Sequence, residues 1–237
     1  MSFACAFRTD VGLGRNDNED ALLCLPDHGL WAVADGMGGH EAGEVASAMV
    51  VEALAKVAPT EGFAERLGRA DAALNAVNDS LAAISRAQDQ KRPMGSTVVA
   101  LWIEGERYAC MWVGDSRAYR VRDGAILQLS RDHSLVQDLV EAGMLEADQA
   151  EGHPNANVLT RAVGASTRFR VDVVEGEVAG GDRFVLASDG LTRLVTAEEI
   201  MATVTAHAPE AATEHLLQIA LRRGAPDNVT LVVVAVD

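Results

Sequence analysis

Apolar residues along this chain follow two rhythms. Runs such as Leu30-Trp31-Ala32-Val33-Ala34 and Val229 to Val236, the second interrupted only by Thr230, alternate with stretches in which apolar residues recur every third or fourth position. Short runs bounded by Gly, Asp or Pro read as buried strands, and the three-to-four spacing reads as helix. Strands are therefore expected around residues 2 to 12, 20 to 26 and 29 to 35, the last two joined at Pro26-Asp27-His28-Gly29. Two helices follow. Val45, Ala46, Met49, Val50, Ala53, Leu54 and Val57 mark the first, which Pro59 ends. Phe63, Leu67, Ala70, Leu74, Val77, Leu81 and Ile84 mark the second. That stripe has the spacing of a coiled-coil seam, but its shortness and Ala70 favour a helix face packed on a sheet.

From Ser96 to Ser130 the strand rhythm returns: a run to Ile103, a turn at Glu104-Gly105-Glu106, a run to Gly114, and a pair hinged at Asp123-Gly124. Residues 131 to 164 differ in character, with a short helix around Leu135 to Ala142, acidic Glu146 to Glu151 and then His153-Pro154-Asn155. Long connections in compact domains are usually functional or disordered, so this segment is expected to be a mobile flap. Strands resume near Phe169 to Val178 and Asp182 to Ser188, helices fill roughly Ala197 to Arg223, and Val229 to Val236 closes the sheet. Two batches of strands, each followed by paired helices, predict one α+β domain over residues 1–237 with helices outside a β sandwich. The chain stops one residue after its last run, from which no tail, tether or further domain is expected.

Composition narrows the function. The 237 residues, 49% of them hydrophobic, can bury one sizeable core, and no linker or low-complexity stretch divides them. A formal charge of -15 argues against nucleic acid as a partner. It also means that any phosphate chemistry must draw most of its positive potential from bound cations. Cys5, Cys24 and Cys110 are odd in number, lack C-x-x-C spacing and lie between apolar neighbours, as buried free thiols of a reducing compartment do. Neither a signal-peptide pattern nor a bilayer-length apolar run is present. A soluble, cytoplasmic monomer without membrane association is the expectation.

Asp35, Asp115, Asp189 and Asp227 each end or open an apolar run. Any one of them alone reads as a turn aspartate, and Asp35-Gly36 and Asp189-Gly190 are turn dipeptides. Together they read differently. In an antiparallel sheet the end of one strand lies beside the start of its neighbour, so all four can converge on one edge. Gathered carboxylates repel unless a cation neutralises them. Carboxylate, carbonyl and water ligands suit Mg or Mn, and no His or Cys cluster has zinc spacing.

These features sit within a longer series of motifs: Thr9-Asp10-Val11-Gly12 with Arg15 and Asn18-Glu19-Asp20; Ala34-Asp35-Gly36-Met37-Gly38-Gly39-His40; Gly95-Ser96-Thr97; Gly114-Asp115-Ser116-Arg117; Leu159-Thr160-Arg161-Ala162-Val163-Gly164; Ser188-Asp189-Gly190-Leu191; and Asp227-Asn228-Val229-Thr230. In order and combination they resemble the metal-dependent protein phosphatases of the protein phosphatase 2C type, in their compact bacterial branch, nearly end to end. The resemblance implies a four-layer αββα sandwich with a binuclear Mg or Mn centre at one end of the sheets. It implies that Asp35 bridges both ions, that the Gly36 carbonyl helps hold the second, and that Asp189 and Asp227 hold the first. Glu19 and Asp20 would orient waters on the metals, and Asp115 would serve a third, weaker ion near the flap. The implied substrates are phosphoserine and phosphothreonine proteins, with a Hanks-type kinase as the opposing enzyme.

Phosphate monoesters hydrolyse so slowly that catalysis has to supply up to about 10²¹-fold. Two cations roughly 3.5 to 4 Å apart can share and activate a water, so no protein nucleophile is needed. Arg15 is suited to grip two phosphoryl oxygens, with charge balance against Asp17 or Glu19 as the plainer role. The leaving alkoxide needs a proton. Animal enzymes of the family carry a His directly after the Asp-Gly pair, where this chain has Met37; His40 is the substitute of the bacterial branch, and a metal-held water is the other source. His133 and His153 flank the flap within reach of a substrate, although surface histidines are usually idle. Gly114-Asp115-Ser116-Arg117-Ala118 superficially matches a hydrolase nucleophile elbow, but that elbow opens into a helix, and Tyr119-Arg120-Val121 runs into a hairpin instead. A calcium-binding module would pack its ligands into one short loop, which this spacing does not. No metal carboxylate is missing, as it would be in a catalytically dead relative. A phosphatase of small phosphorylated metabolites would share the site and differ only in the surface around it.

Overall fold

A strand made only of apolar residues has to be covered on both faces, and this requirement organises the molecule. The computed structural model describes residues 2–38, 41–59, 62–87, 94–150, 152–165 and 169–237. Its strands are β1 (Phe3–Asp10), β2 (Asp20–Leu25), β3 (Leu30–Met37), β4 (Gly95–Ser96), β5 (Val98–Glu104), β6 (Arg107–Val113), β7 (Arg117–Arg122), β8 (Ala125–Gln128), β9 (Asp172–Glu177), β10 (Arg183–Ala187) and β11 (Val229–Val236). The helices are α1 (Ala42–Val57), α2 (Phe63–Ala87), α3 (Leu135–Glu141), the single turn α4 (Asp189–Thr192), α5 (Ala197–Ala206) and α6 (Pro209–Arg222).

Two antiparallel sheets form, in the orders β1-β11-β10-β7-β8 and β2-β3-β5-β6-β9, with β4 paired to the end of β3. Trp31, Val33, Val99, Leu101, Phe184, Leu186, Val232 and Val234 fill the space between them. The other faces of the same strands complete two outer layers. Leu30, Ala32, Ala100 and Trp102 pack with α1 and α2, and Val185, Val229, Leu231 and Val233 pack with α5 and α6. This is the α+β, four-layer αββα sandwich. Successive side chains of a strand point to opposite faces, so β11, buried at every position, divides its residues between the inner and one outer layer. Each such buried Val or Leu contributes about 1.5–3 kcal/mol relative to exposure.

Element boundaries differ from the sequence reading where pairing or capping intervenes. β3 continues through Asp35-Gly36, read from sequence as a turn, because Gly36 and Met37 pair with Ser96 and Gly95. The second such dipeptide, Asp189-Gly190, opens the helical turn α4. The Ala197 to Arg223 region divides at His207-Ala208. Thr196 and Glu199 form a reciprocal cap on α5, and Pro209 starts α6. At the β7–β8 hairpin Asp123 and Gly124 both have positive φ, 51° and 74°, as a primed turn requires.

Residues 131–164 carry α3, capped by Ser134, and a short 3-10 turn at Ala147–Gln149. Both ends are anchored: Gly114 N donates to His133 Nδ1 at 3.0 Å, and Arg161 pairs with Asp172 at 2.8 Å. Cys110 is buried as expected. Cys5 and Cys24 are only half-buried, and their sulfurs lie 3.5 Å apart where the edge strands of the two sheets face each other. Burial, and then the neighbouring Cys5, push the Cys24 thiol up to about 12. Among the described residues no helix is long and apolar enough to cross a membrane.

Candidate active site

Antiparallel pairing brings the aspartates to one end of the sandwich. β5 begins beside the ends of β3 and β6, since Thr97 N donates to Asp35 O at 2.8 Å and Val98 pairs with Val113. In the other sheet β10 ends where β11 begins, Ala187 opposite Leu231. Asp35 and Asp115 therefore emerge from one sheet and Asp189 and Asp227 from the other, around a cleft of about 440 Å³ whose wall also includes Arg15, Glu19, Gly36 and Thr97. Asp20 stands just behind this wall, opposite Asp35 in the β2–β3 register. His40 lies outside the described residues.

Hydrogen bonds hold these groups in place from behind. Asp35 N donates to Thr97 Oγ1 at 2.9 Å, and Ser96 Oγ donates to Asp35 O at 3.1 Å, which gives the Gly95-Ser96-Thr97 motif its purpose. Ser116 Oγ, the would-be nucleophile, is buried against Thr97 Oγ1 at 2.7 Å and leads into β7. Glu19 is fixed through its backbone: its carbonyl accepts from Gly36 N at 3.1 Å and Ser47 Oγ at 2.6 Å, and its N–H donates to Asn228 Oδ1 at 2.8 Å. Gly36 has no room for a side chain, because a Cβ would stand 2.1 Å from Gly43 O and 2.5 Å from Glu19 O. Ser188 Oγ donates to Asp20 Oδ2 at 2.9 Å.

Two arginines reach the carboxylates. Arg15 pairs with Asp227 at 2.7 Å, a different partner from the Asp17 or Glu19 considered from sequence. Arg193, which sequence reasoning passed over, lies 2.8 Å from Asp189 and 3.3 Å from Asp115. The remaining charge is poorly compensated. Burial first, and then the charges of Asp20, Asp189, Asp115 and Asp227, hold the Asp35 carboxyl well above the usual carboxylate range. Burial likewise raises Asp20 and Asp115 to about 7, and raises Asp189 and Glu19. Asp189 Oδ1 is buried with no hydrogen-bond partner.

These observations decide whether hard divalent ions fit. A buried carboxylate oxygen without a donor, among acids that titrate upward for want of positive charge, is a set that a cation relieves. Among the described residues no three His, Cys, Asp or Glu side chains are gathered closely enough to hold an ion unaided. Mg and Mn keep waters and accept backbone carbonyls, so Asp35, Asp189, Asp227 and the Gly36 carbonyl still suffice.

His133 does not meet the cleft. It is buried and stacked on Trp112, with Nδ1 accepting from Gly114 and Nε2 at 3.2 Å from Asp172. Asn228 is the other residue whose part emerges only here: besides Glu19 N, it bonds Val11 O and Asp17 O at 2.9 Å each, tying the loop that carries Arg15 to the start of β11.

The sequence profile described as Protein phosphatase 2C matches residues 15–223. Serine/threonine protein phosphatase PstP of Mycobacterium tuberculosis is 38% identical over 228 residues, which are 96% of this chain and 44% of that protein, so the chain spans less than half of that relative's length. Protein phosphatase PhpP of Streptococcus pneumoniae is 34% identical over 243 residues, with 97% of this chain and 96% of that protein aligned. A crystal structure of the catalytic domain of serine/threonine protein phosphatase PstP in complex with two manganese ions superposes with a TM-score of 0.89 at 37% identity, covering 99% of both chains.

Proposed function

The chain belongs to the protein phosphatase 2C family, and on that premise we propose that it is a metal-dependent phosphatase of phosphoserine and phosphothreonine proteins. The observation that carries this reading is the convergence of buried, poorly compensated Asp35 and Asp189 with Asp227 and Arg15 on one cleft.

Asp35, Asp189, Asp227 and the Gly36 carbonyl are the groups that would hold two Mg²⁺ or Mn²⁺ ions. When bound, such ions polarise the phosphoryl group and lower the pKa of water. Glu19 and Asp20 orient solvent from behind the ligands. Their positions support this, since Glu19 lines the cleft and Asp20 faces Asp35 across the β2–β3 pair. Arg15, half-exposed at the rim, exchanges its contact with Asp227 for the phosphoryl oxygens of an incoming substrate. Water adds to phosphorus as the bond to the Ser or Thr oxygen breaks; that oxygen would take a proton from His40, a role assigned on the family motif, and the proton released by the water passes to solvent, from which His40 is reprotonated. The 131–164 segment borders the cleft through Asn157 and Leu159 and serves as the flap against which protein substrates lie.

The setting we propose is the cytoplasm, in signalling opposite a Hanks-type kinase. Three free cysteines support a reducing compartment, and the kinase follows from the family. The test is hydrolysis of a phosphothreonine peptide with added Mn²⁺ or Mg²⁺, abolished by EDTA and restored by the ion. Full activity after exhaustive chelation refutes the mechanism, and activity confined to small phosphorylated metabolites refutes the substrate class.

A further inference from the structure

Arg193 follows α4, and its guanidinium turns back into the carboxylate cluster. Its Nη2 lies 2.8 Å from Asp189 Oδ2 and 3.3 Å from Asp115 Oδ2, and its Nη1 donates to Asn157 Oδ1. The pair with Asp189 alone would be an ordinary contact between residues four apart on one helical turn. Asp115, however, follows β6 in the opposite sheet, and Asn157 belongs to the 131–164 segment. Three separate parts of the chain thus aim oxygens at one point. Two carboxylates and an amide carbonyl are the donors a hard divalent ion takes. Here a side chain that stays protonated in proteins fills their centre. All four residues line both the main cleft and an adjoining one of about 140 Å³, so the guanidinium stands in the wall between the two.

We propose that Arg193 is a built-in cation that takes the place of a third metal ion beside Asp115, so that this chain binds two divalent ions and excludes another. The proposal rests on the two-ion reading above. A further ion at Asp115 would have to sit against a fixed positive charge or expel it, and like charges at such separation repel strongly in a partly buried site. Asp115 then acts as a positioning residue for Arg193, which shields the binuclear centre from the charge of Asp115.

The experiment is calorimetric titration of Mn²⁺ into the full chain as wild type, Arg193→Ala, Arg193→Gln and Arg193→Lys, with thermal melts to verify folding. Two ions in the wild type, a third and at least tenfold weaker ion in the neutral variants, and two again in Arg193→Lys are the expected results. A third ion in the wild type, or an unchanged count of two in a folded neutral variant, overturns the role of Arg193 and leaves the phosphatase reading standing. A wild type that binds no Mn²⁺ at all overturns both. Should both neutral variants fail to fold, Asn157→Asp decides, since it adds a carboxylate at the same point and keeps Arg193: two ions uphold exclusion by the guanidinium, and a third ion there or in the wild type overturns it.

Discussion

Asn228→Ala removes the clamp between the Arg15–Glu19 loop and the start of β11. The side chain is 4% exposed, accepts from Glu19 N at 2.8 Å and donates to Val11 O and Asp17 O at 2.9 Å each. A net hydrogen bond is worth about 0.5–1.5 kcal/mol, and a buried group left without its partner costs about 1–3 kcal/mol. Three bonds to backbone groups near the surface therefore suggest a loss of about 2–4 kcal/mol. For a domain of this size each kcal/mol moves Tm by about 2–4 °C, so the expected fall is about 4–16 °C. Because the freed loop carries Arg15 and Glu19, the rise in Tm on adding Mn²⁺ shrinks as well. Asn228→Asp is a sharper probe: it keeps the acceptor for Glu19 N but replaces two donors with an oxygen facing two carbonyls, and destabilises despite equal size. The assay is thermal unfolding in EDTA and in Mn²⁺. An Asn228→Ala melt within about 1 °C of wild type, with an unchanged response to Mn²⁺, refutes the clamp.

Asp35→Asn removes a buried charge surrounded by other carboxylates, so the metal-free protein is expected to melt higher while Mn²⁺ no longer raises Tm and turnover collapses; near wild-type turnover would remove Asp35 from the ligand set. Arg15→Ala raises KM for a phosphopeptide more than it lowers kcat if the guanidinium grips the ground-state phosphoryl group, whereas a collapsed kcat at constant KM reassigns it to the transition state. His40→Ala slows a phosphothreonine peptide but spares p-nitrophenyl phosphate, whose leaving group departs without a proton; equal losses on both contradict proton donation. Burial holds the His133 imidazole below its ordinary value near 6.5, so under that pH the unfolded chain carries more protons than the folded one. The His133 contribution to stability therefore falls on acidification below 6.5, by at most about 1.4 kcal/mol per pH unit, against the opposite contribution of the raised Asp20, Asp35 and Asp115 carboxyls; in urea unfolding at pH 5 and 7, His133→Gln is expected to shift the balance toward pH 5 relative to wild type, and an unshifted difference refutes the role of the buried imidazole.

The layers were legible in the sequence because burial on both faces of a strand disfavours polar residues, so β5, the first part of β3 and, apart from Thr230, β11 announce themselves as long apolar runs. The aspartates were legible for a related reason: each marks the point where such a run reaches the edge of the sandwich, and their agreement in position outweighs the turn reading of any one. Asp35-Gly36 shows the limit of local reading, since the dipeptide that favours a turn is drawn into β3 by a partner strand some sixty residues away. His133, Asn228 and Arg193 show it more clearly. A histidine beside a loop, an asparagine before a strand and an arginine after a helical turn look alike whether solvated or buried, because nothing in their neighbours along the chain differs. Arg193 meets Asp115 across a separation of 78 residues, and Asn228 meets Glu19 across 209. Hydrophobic periodicity is a local property and survives in one dimension, whereas the partner of a polar side chain is decided by which strands become neighbours. For that reason the sequence by itself determined the sheets and the acidic edge, and only the tertiary structure decided which charges at that edge are answered.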